Sequence, residues 1–130
     1  MNVENTEKLI EKYPEMYRGH TKPVTESLMC FGFECGDGWF ELLDNLSNEI
    51  TEYCKKEKIE FPEVFQVKEK FGGLRFYLEA YEDDNDGIEK LIDTYEILSE
   101  NTCELCGKPG ILSNEGWVSC RCPKCKKKKD

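Results

Sequence analysis

The chain has 130 residues, 35% of them charged and 12% aromatic, with a formal net charge of −9. That length holds one domain with at most a small appendage, and the aromatics supply a core, which excludes extensive disorder away from the ends. Residues 1–102 carry 24 acidic and 11 basic side chains, whereas residues 103–130 carry 3 and 7, so the body repels nucleic acid and anionic membranes at long range and only the tail "KCKKKKD" favours either.

The opening "MNVENTEKLIEKYPEMY" is acidic and periodic, unlike a signal peptide. No later apolar run approaches membrane-spanning length, so a cytoplasmic protein without a membrane partner is expected. Residues 5–13 place Leu9, Ile10 and Tyr13 on one helical face, and Pro14 ends that pattern. Residues 14–30 read as irregular and include the single histidine, His20, which receives no role. In "FGFECGDGW", Phe31 and Phe33 alternate as in a short strand, and Asp37 is placed to cap a helix. Trp39, Leu43, Leu46, Ile50 and Cys54 then recur at spacings of three and four, predicting an amphipathic helix to about Lys58.

Beyond Pro62 come two alternating runs, 63–71 and 74–81, joined at Gly72-Gly73 as a tight hairpin. "EDDNDG" is a break, and Asp86 with Glu89 resembles a capping pair. Ile88, Leu91, Ile92, Tyr95 and Leu98 predict a second long helix ending near Asn101. There is no internal repeat. The expected fold class is α+β: a small antiparallel sheet, centred on the hairpin, packed against two or three helices, with a C-terminal zinc ribbon. The expected organisation is a body over 1–101, a zinc module over 102–126 and a solvated, frayed basic tail over 127–130.

Five of the eight cysteines lie in the last quarter of the chain, which favours metal over disulfides. Cys103 and Cys106, followed by Gly107, form one knuckle, and Cys122 and Cys125 form another about fifteen residues on. Two C-x-x-C pairs at this spacing match a four-cysteine site for one structural Zn²⁺, with an iron–sulfur cluster or disulfides as the lesser alternatives. Cys120 is then spare. Cys30, Cys35 and Cys54 read as small buried hydrophobes. Cys35 precedes a helix start, where a thiol can be activated, but no histidine is near it in sequence to serve as base.

With Gly72-Gly73 as the turn, Phe71 pairs with Leu74, and Lys70 lies opposite Arg75. Phe65, Val67, Phe71, Leu74, Phe76, Leu78 and Ala80 share the core face, interrupted by Glu69. Gln66, Lys68, Lys70, Arg75 and Tyr77 share the other. Opposed cations destabilise a strand pair, so this face is either an anion platform or is neutralised by internal carboxylates. At the turn before the helix, Asp37, Gly38 and Trp39 offer free N–H groups, an acceptor and a stacking ring, or else a cap, a small residue and a core side chain.

The motifs "FECGDGW", "QVKEKFGGLRFY" and "CELCGKPG", followed by "GW" and a final C-x-x-C, resemble a family of small phage and prophage proteins. The resemblance covers roughly residues 5–125. Similar proteins often end the metal set in histidine where this chain has Cys125. The resemblance implies a viral source, action inside an infected bacterium and no particular mechanism. Small phage accessory proteins often oppose host defence, so the leading expectation is a non-enzymatic protein that holds a phosphate-bearing small molecule. That molecule could be a host immune nucleotide signal, held by Asp37, Gly38, Trp39, Lys68, Lys70, Arg75 and Tyr77. A zinc-ribbon adaptor for a host protein or nucleic acid is the second reading, though the acidic body disfavours specific DNA binding. A nucleotide-acting enzyme using Asp37 or a nearby carboxylate as base is the third; no catalytic residue is assigned.

Overall fold

The structure, a computed structural model, describes residues 1–79, 86–113 and 118–126. The expected strand end at 80–81, most of the acidic break and the basic tail lie outside the described residues. The fold is α+β, with a three-stranded sheet, a separate two-stranded ribbon and four helices among the described residues.

Helix α1 (Val3–Lys12) is capped by the Asn2 side chain, which accepts from the Asn5 N–H, and it buries Leu9. Helix α2 (Phe40–Glu57) buries Leu42, Leu43, Leu46, Ser47, Ile50 and Cys54, the stripe its spacing dictates. It ends at Lys58, whose left-handed backbone lets the following Ile59 N–H return to the Cys54 carbonyl. Helix α3 (Asp86–Ser99) turns Ile88 and Ile92 inward. The irregular segment before the sheet is held partly by Glu63, which is only 8% exposed and pairs with Lys22 at 2.8 Å and Arg18 at 3.5 Å.

Strands β1 (Phe33–Glu34), β2 (Val64–Lys70) and β3 (Gly73–Leu78) lie in that order. Strand β1 runs parallel to β2, with Phe33 beside Val67 and Glu34 beside Lys68, so the sheet is mixed and not wholly antiparallel. Val64, Val67, Leu74 and Phe76 meet the helices in one core with Trp39, Leu43, Leu46 and Ile50. The outer edge of β3 is covered: the Leu74 N–H donates to Ser99 Oγ at 2.8 Å and the Phe76 N–H to Glu96 Oε2 at 3.0 Å. Helix α3 thus satisfies backbone groups that would otherwise invite another strand.

The hairpin turns one residue earlier than the two glycines imply. Phe71 and Gly72 both have positive φ, at 54° and 82°, and Lys70 pairs with Gly73, Glu69 with Leu74 and Lys68 with Arg75. Two residues of positive φ are the signature of a type I′ turn. The pairing is therefore displaced by two positions from Lys70–Arg75 and Phe71–Leu74. A slide of two keeps the alternation from Gln66 to Tyr77 on its expected faces, so the sequence pattern is blind to it. Local contacts decide instead. Glu69 Oε2 accepts the Gly72 N–H at 2.7 Å, which explains an acid on the core face. Phe71 leaves the core altogether and stands 67% exposed at the tip. The strand start is a further correction: a bulge between Val64 and Gln66 turns Val64 into the core in place of the expected Phe65.

Candidate metal centre and the hairpin face

The Cys103-to-Gly107 segment closes on itself. The Gly107 N–H donates to the Cys103 carbonyl at 2.9 Å, and Cys103 N–H to the Lys108 carbonyl at 2.7 Å. Gly107 has a φ of +81°, which a side chain would strain. The chain then forms a ribbon of β4 (Ile111–Ser113) and β5 (Ser119–Arg121), pairing Leu112 with Cys120. Cys122 follows β5, and Cys125 sits in the short helix α4 (Pro123–Lys126). The ribbon thereby returns the second knuckle to the first. The Sγ atoms of Cys103, Cys106, Cys122 and Cys125 all lie within 4.8 Å of one another. Cys103, Cys122 and Cys125 are buried and Cys106 is exposed.

This donor set suits a metal ion. The Cys125 N–H points at Cys122 Sγ from 3.4 Å and lowers that thiol, as backbone donors in a knuckle favour thiolate. Burial pushes Cys103 up, yet N–H donors around it outweigh that and leave it below its ordinary value. Cys125, crowded by Cys122, is pushed up instead. Four sulfurs this close cannot all ionise without a cation between them. Cys120 stands outside the cluster, as expected. Its Sγ donates to the Glu100 carbonyl at 3.2 Å, and burial pushes its thiol up to about 11. It ties the ribbon to the end of α3.

The Gly-Asp-Gly-Trp turn is the seat of the first knuckle. Gly38 N–H donates to the Glu104 carbonyl at 2.8 Å, and Gly36 N–H to Glu104 Oε2 at 2.8 Å. A Cβ on Gly38 would stand 2.2 Å from the Cys103 carbonyl oxygen, and one on Gly36 2.3 Å from that of Glu104. Both glycines therefore serve close backbone approach. Trp39 is fully buried and donates its indole N–H to the Thr102 carbonyl at 2.9 Å. Asp37 does not cap α2; its Oδ1 accepts from Asn2 N–H at 2.8 Å and Asn5 Nδ2 at 3.2 Å, fastening α1. Asp37, Gly38 and Trp39 are thus engaged within the fold, and Trp39 has no exposed ring face for a ligand. Burial pushes the Cys35 thiol up to about 12, the opposite of an activated nucleophile. Cys54 is buried as expected, whereas Cys30 is exposed.

Gln66, Lys68, Lys70, Arg75 and Tyr77 share the outer face of the hairpin by register. Tyr77 is 41% exposed. Lys68 lies between Glu34 on β1 and Arg75 on β3, while Gln66 Nε2 donates to Glu34 Oε1 at 3.1 Å. Arg75 folds back over the turn, donating to the Leu74 carbonyl at 3.1 Å. Its Nη1 lies 3.1 Å from where a Cβ of Gly73 would stand. Its charge also works against the upward push that burial exerts on Glu96. Among the described residues, Lys68, Lys70 and Arg75 have no carboxylate oxygen within 4.0 Å.

The ribbon also touches the hairpin: a Cβ on Gly72 would meet Leu112 Cδ2 at 2.4 Å and the Ser119 carbonyl carbon at 3.2 Å. The sequence carried a signal for this docking in its closely spaced glycines, but not the identity of what approaches them. Comparison with known proteins yields no match among family models, curated proteins or solved structures. No helix among the described residues is long and apolar enough to cross a membrane.

Replacing Gly38 with alanine drives a methyl into the Cys103 carbonyl. Thermal unfolding should report a loss of about 1–3 kcal/mol or more, and chelator competition should report weaker metal retention. Asp37→Asn, which keeps an acceptor oxygen, should change stability by less than about 0.5 kcal/mol.

Proposed function

We propose that the chain is a non-catalytic binding protein of phage origin, acting in the cytoplasm of an infected bacterium. One structural zinc ion holds its C-terminal module, and the outer hairpin face holds a phosphate-bearing small molecule. Two C-x-x-C knuckles on a short ribbon are the usual setting for a structural zinc, one of the metals that four thiolates suit, and a closed four-sulfur shell leaves no position for reactive water. A tetrahedron with zinc–sulfur bonds of about 2.3 Å has sulfur–sulfur edges of about 3.8 Å. The separation of 3.5 Å between Cys106 Sγ and Cys122 Sγ is compatible with that edge.

The observation that carries the ligand reading is the direct pairing of Lys68 with Arg75, both half-buried, on the outer sheet face. Hydrated, two such cations repel by about 1 kcal/mol or less. A phosphate over them converts the repulsion into charge-assisted hydrogen bonds worth roughly 1.5–3 kcal/mol each. Lys70 and Tyr77 extend the platform. Asp37, Gly38 and Trp39 leave the ligand set, because their contacts are spent inside the fold. A second reading, an adaptor that docks a host protein through the C-terminal module, draws on the exposure of Ile111, Leu112 and Leu105 there.

Elemental analysis of the isolated protein should find one zinc per chain. Cys122→Ser should lose it and Cys120→Ser should keep it; equal loss from both would misplace the fourth ligand. For the hairpin face, phosphate compounds that bind should raise the melting temperature of the native chain. Arg75→Ala should remain folded and lose that rise. No shift with any phosphate compound, together with a large loss of stability in unliganded Arg75→Ala, would make Arg75 a purely internal residue.

A further inference from the structure

Phe71 occupies a position that the fold gives it no reason to hold. It has a φ of +54°, in the loop of a two-residue hairpin where asparagine, aspartate or glycine is favoured. The residue is 67% exposed, so burial does not offset the strained backbone. The ammonium of Lys70 lies 5.5 Å from the ring centroid. Beside the ring is a hollow of about 320 Å³ lined by Glu69, Lys70, Phe71 and Val118, between the hairpin tip and the approach to β5.

The lining has a chemical direction. Phe71 and Val118 are apolar walls for a flat ring. Glu69 Oε2 is held by the Gly72 N–H, and its Oε1 takes no donor among the described residues. That oxygen can accept from an amine, and the carboxylate repels phosphate. Lys70 belongs both to this hollow and to the cationic row of Lys68 and Arg75 on the outer face. A ring held in the hollow therefore has its anionic end turned towards the lysines and arginine.

We propose that the hollow takes the base of a nucleotide, stacked on Phe71 with an exocyclic amine donated to Glu69, while Lys70 passes its phosphate to the outer hairpin face. This rests on the reading of that face as a phosphate site and names the ligand class for it. Stacking on an exposed aromatic beside a cation is a recurrent way to hold a base.

The test is calorimetric titration of the zinc-loaded full chain with the four nucleoside 5′-monophosphates and their 3′,5′-cyclic forms. Ribose 5-phosphate serves as the ringless-base control. At least one nucleotide should bind tenfold or more tighter than ribose 5-phosphate. Phe71→Asn suits the left-handed backbone, so it should melt at the same temperature as the native chain or higher. It should nevertheless bring that nucleotide to within about twofold of ribose 5-phosphate. Arg75→Ala should weaken both ligands.

Equal binding of nucleotides and ribose 5-phosphate, both weakened by Arg75→Ala, would keep the phosphate site and overturn the base site. Absence of binding by every compound would overturn both. Tighter binding of a short acidic peptide with a central tryptophan than of any nucleotide would assign the hollow to a protein partner and overturn the proposal. Concentration-dependent dimerisation abolished by Phe71→Asn would assign it to a second copy of the chain, with the same consequence.

Discussion

The contact on which the arrangement depends is the approach of one backbone to another: the Gly38 N–H on the Glu104 carbonyl, with no room for a side chain before the Cys103 carbonyl. Around it, Trp39 donates to Thr102, Gly36 to Glu104, and Glu104 N–H to the Cys120 carbonyl. The first knuckle is thus bonded on one side to the turn that opens α2 and on the other to the ribbon that carries the second knuckle. A metal ion joining the knuckles would fix the geometry of both, and the free energy of its binding would become stability of the body as well as of the module. The ribbon also covers Gly72 at the hairpin tip, and Cys120 reaches Glu100, the residue that follows α3. Three parts of the core fold meet one small cysteine module.

This organisation separates two roles that the sequence presents side by side. The Gly-Asp-Gly-Trp turn faces inward and supports the module. The hairpin faces outward, with its cations free of carboxylates within ion-pair distance among the described residues. Glu34 and Glu96 moderate the row from either side without neutralising it by contact. The long-range field of an acidic body discourages polyanions. A small anion meets mainly the local cations, because charges more than about 10 Å away are screened at ordinary salt.

Much of the scaffold was legible in the sequence because it rests on local periodicity. The stripe from Leu43 to Cys54 could bury only as a helix, and Ile88 and Ile92 could turn inward only in a second one. The C-x-x-C pairs brought four sulfurs together through spacing alone, and Cys120 stood outside the set. What was not legible depended on partners distant in the chain. The parallel pairing of Phe33 with Val67 has no local signature. The hairpin register escaped because a two-residue slide preserves the faces from Gln66 to Tyr77, and the deciding contacts come from Glu69 at the tip and from a ribbon forty residues later. Gly38 read as part of an anion-binding turn or as a small residue relieving crowding at a helix start; the backbone that needs its space comes from the distant Cys103-Glu104 segment. Asp37, a good cap by type, is drawn away by Asn2 and Asn5.

The most direct test of the central claim is amide hydrogen exchange, measured residue by residue, on the metal-loaded protein and after metal removal by a chelator. If the module organises the body through the Gly38 contact, metal removal should strip protection from the Gly36, Gly38 and Gly72 amides as well as from those of the knuckles. Amides in the middle of α2 should keep most of theirs. Loss of protection confined to residues 103–125, with Gly36, Gly38 and Gly72 unchanged, would contradict the account.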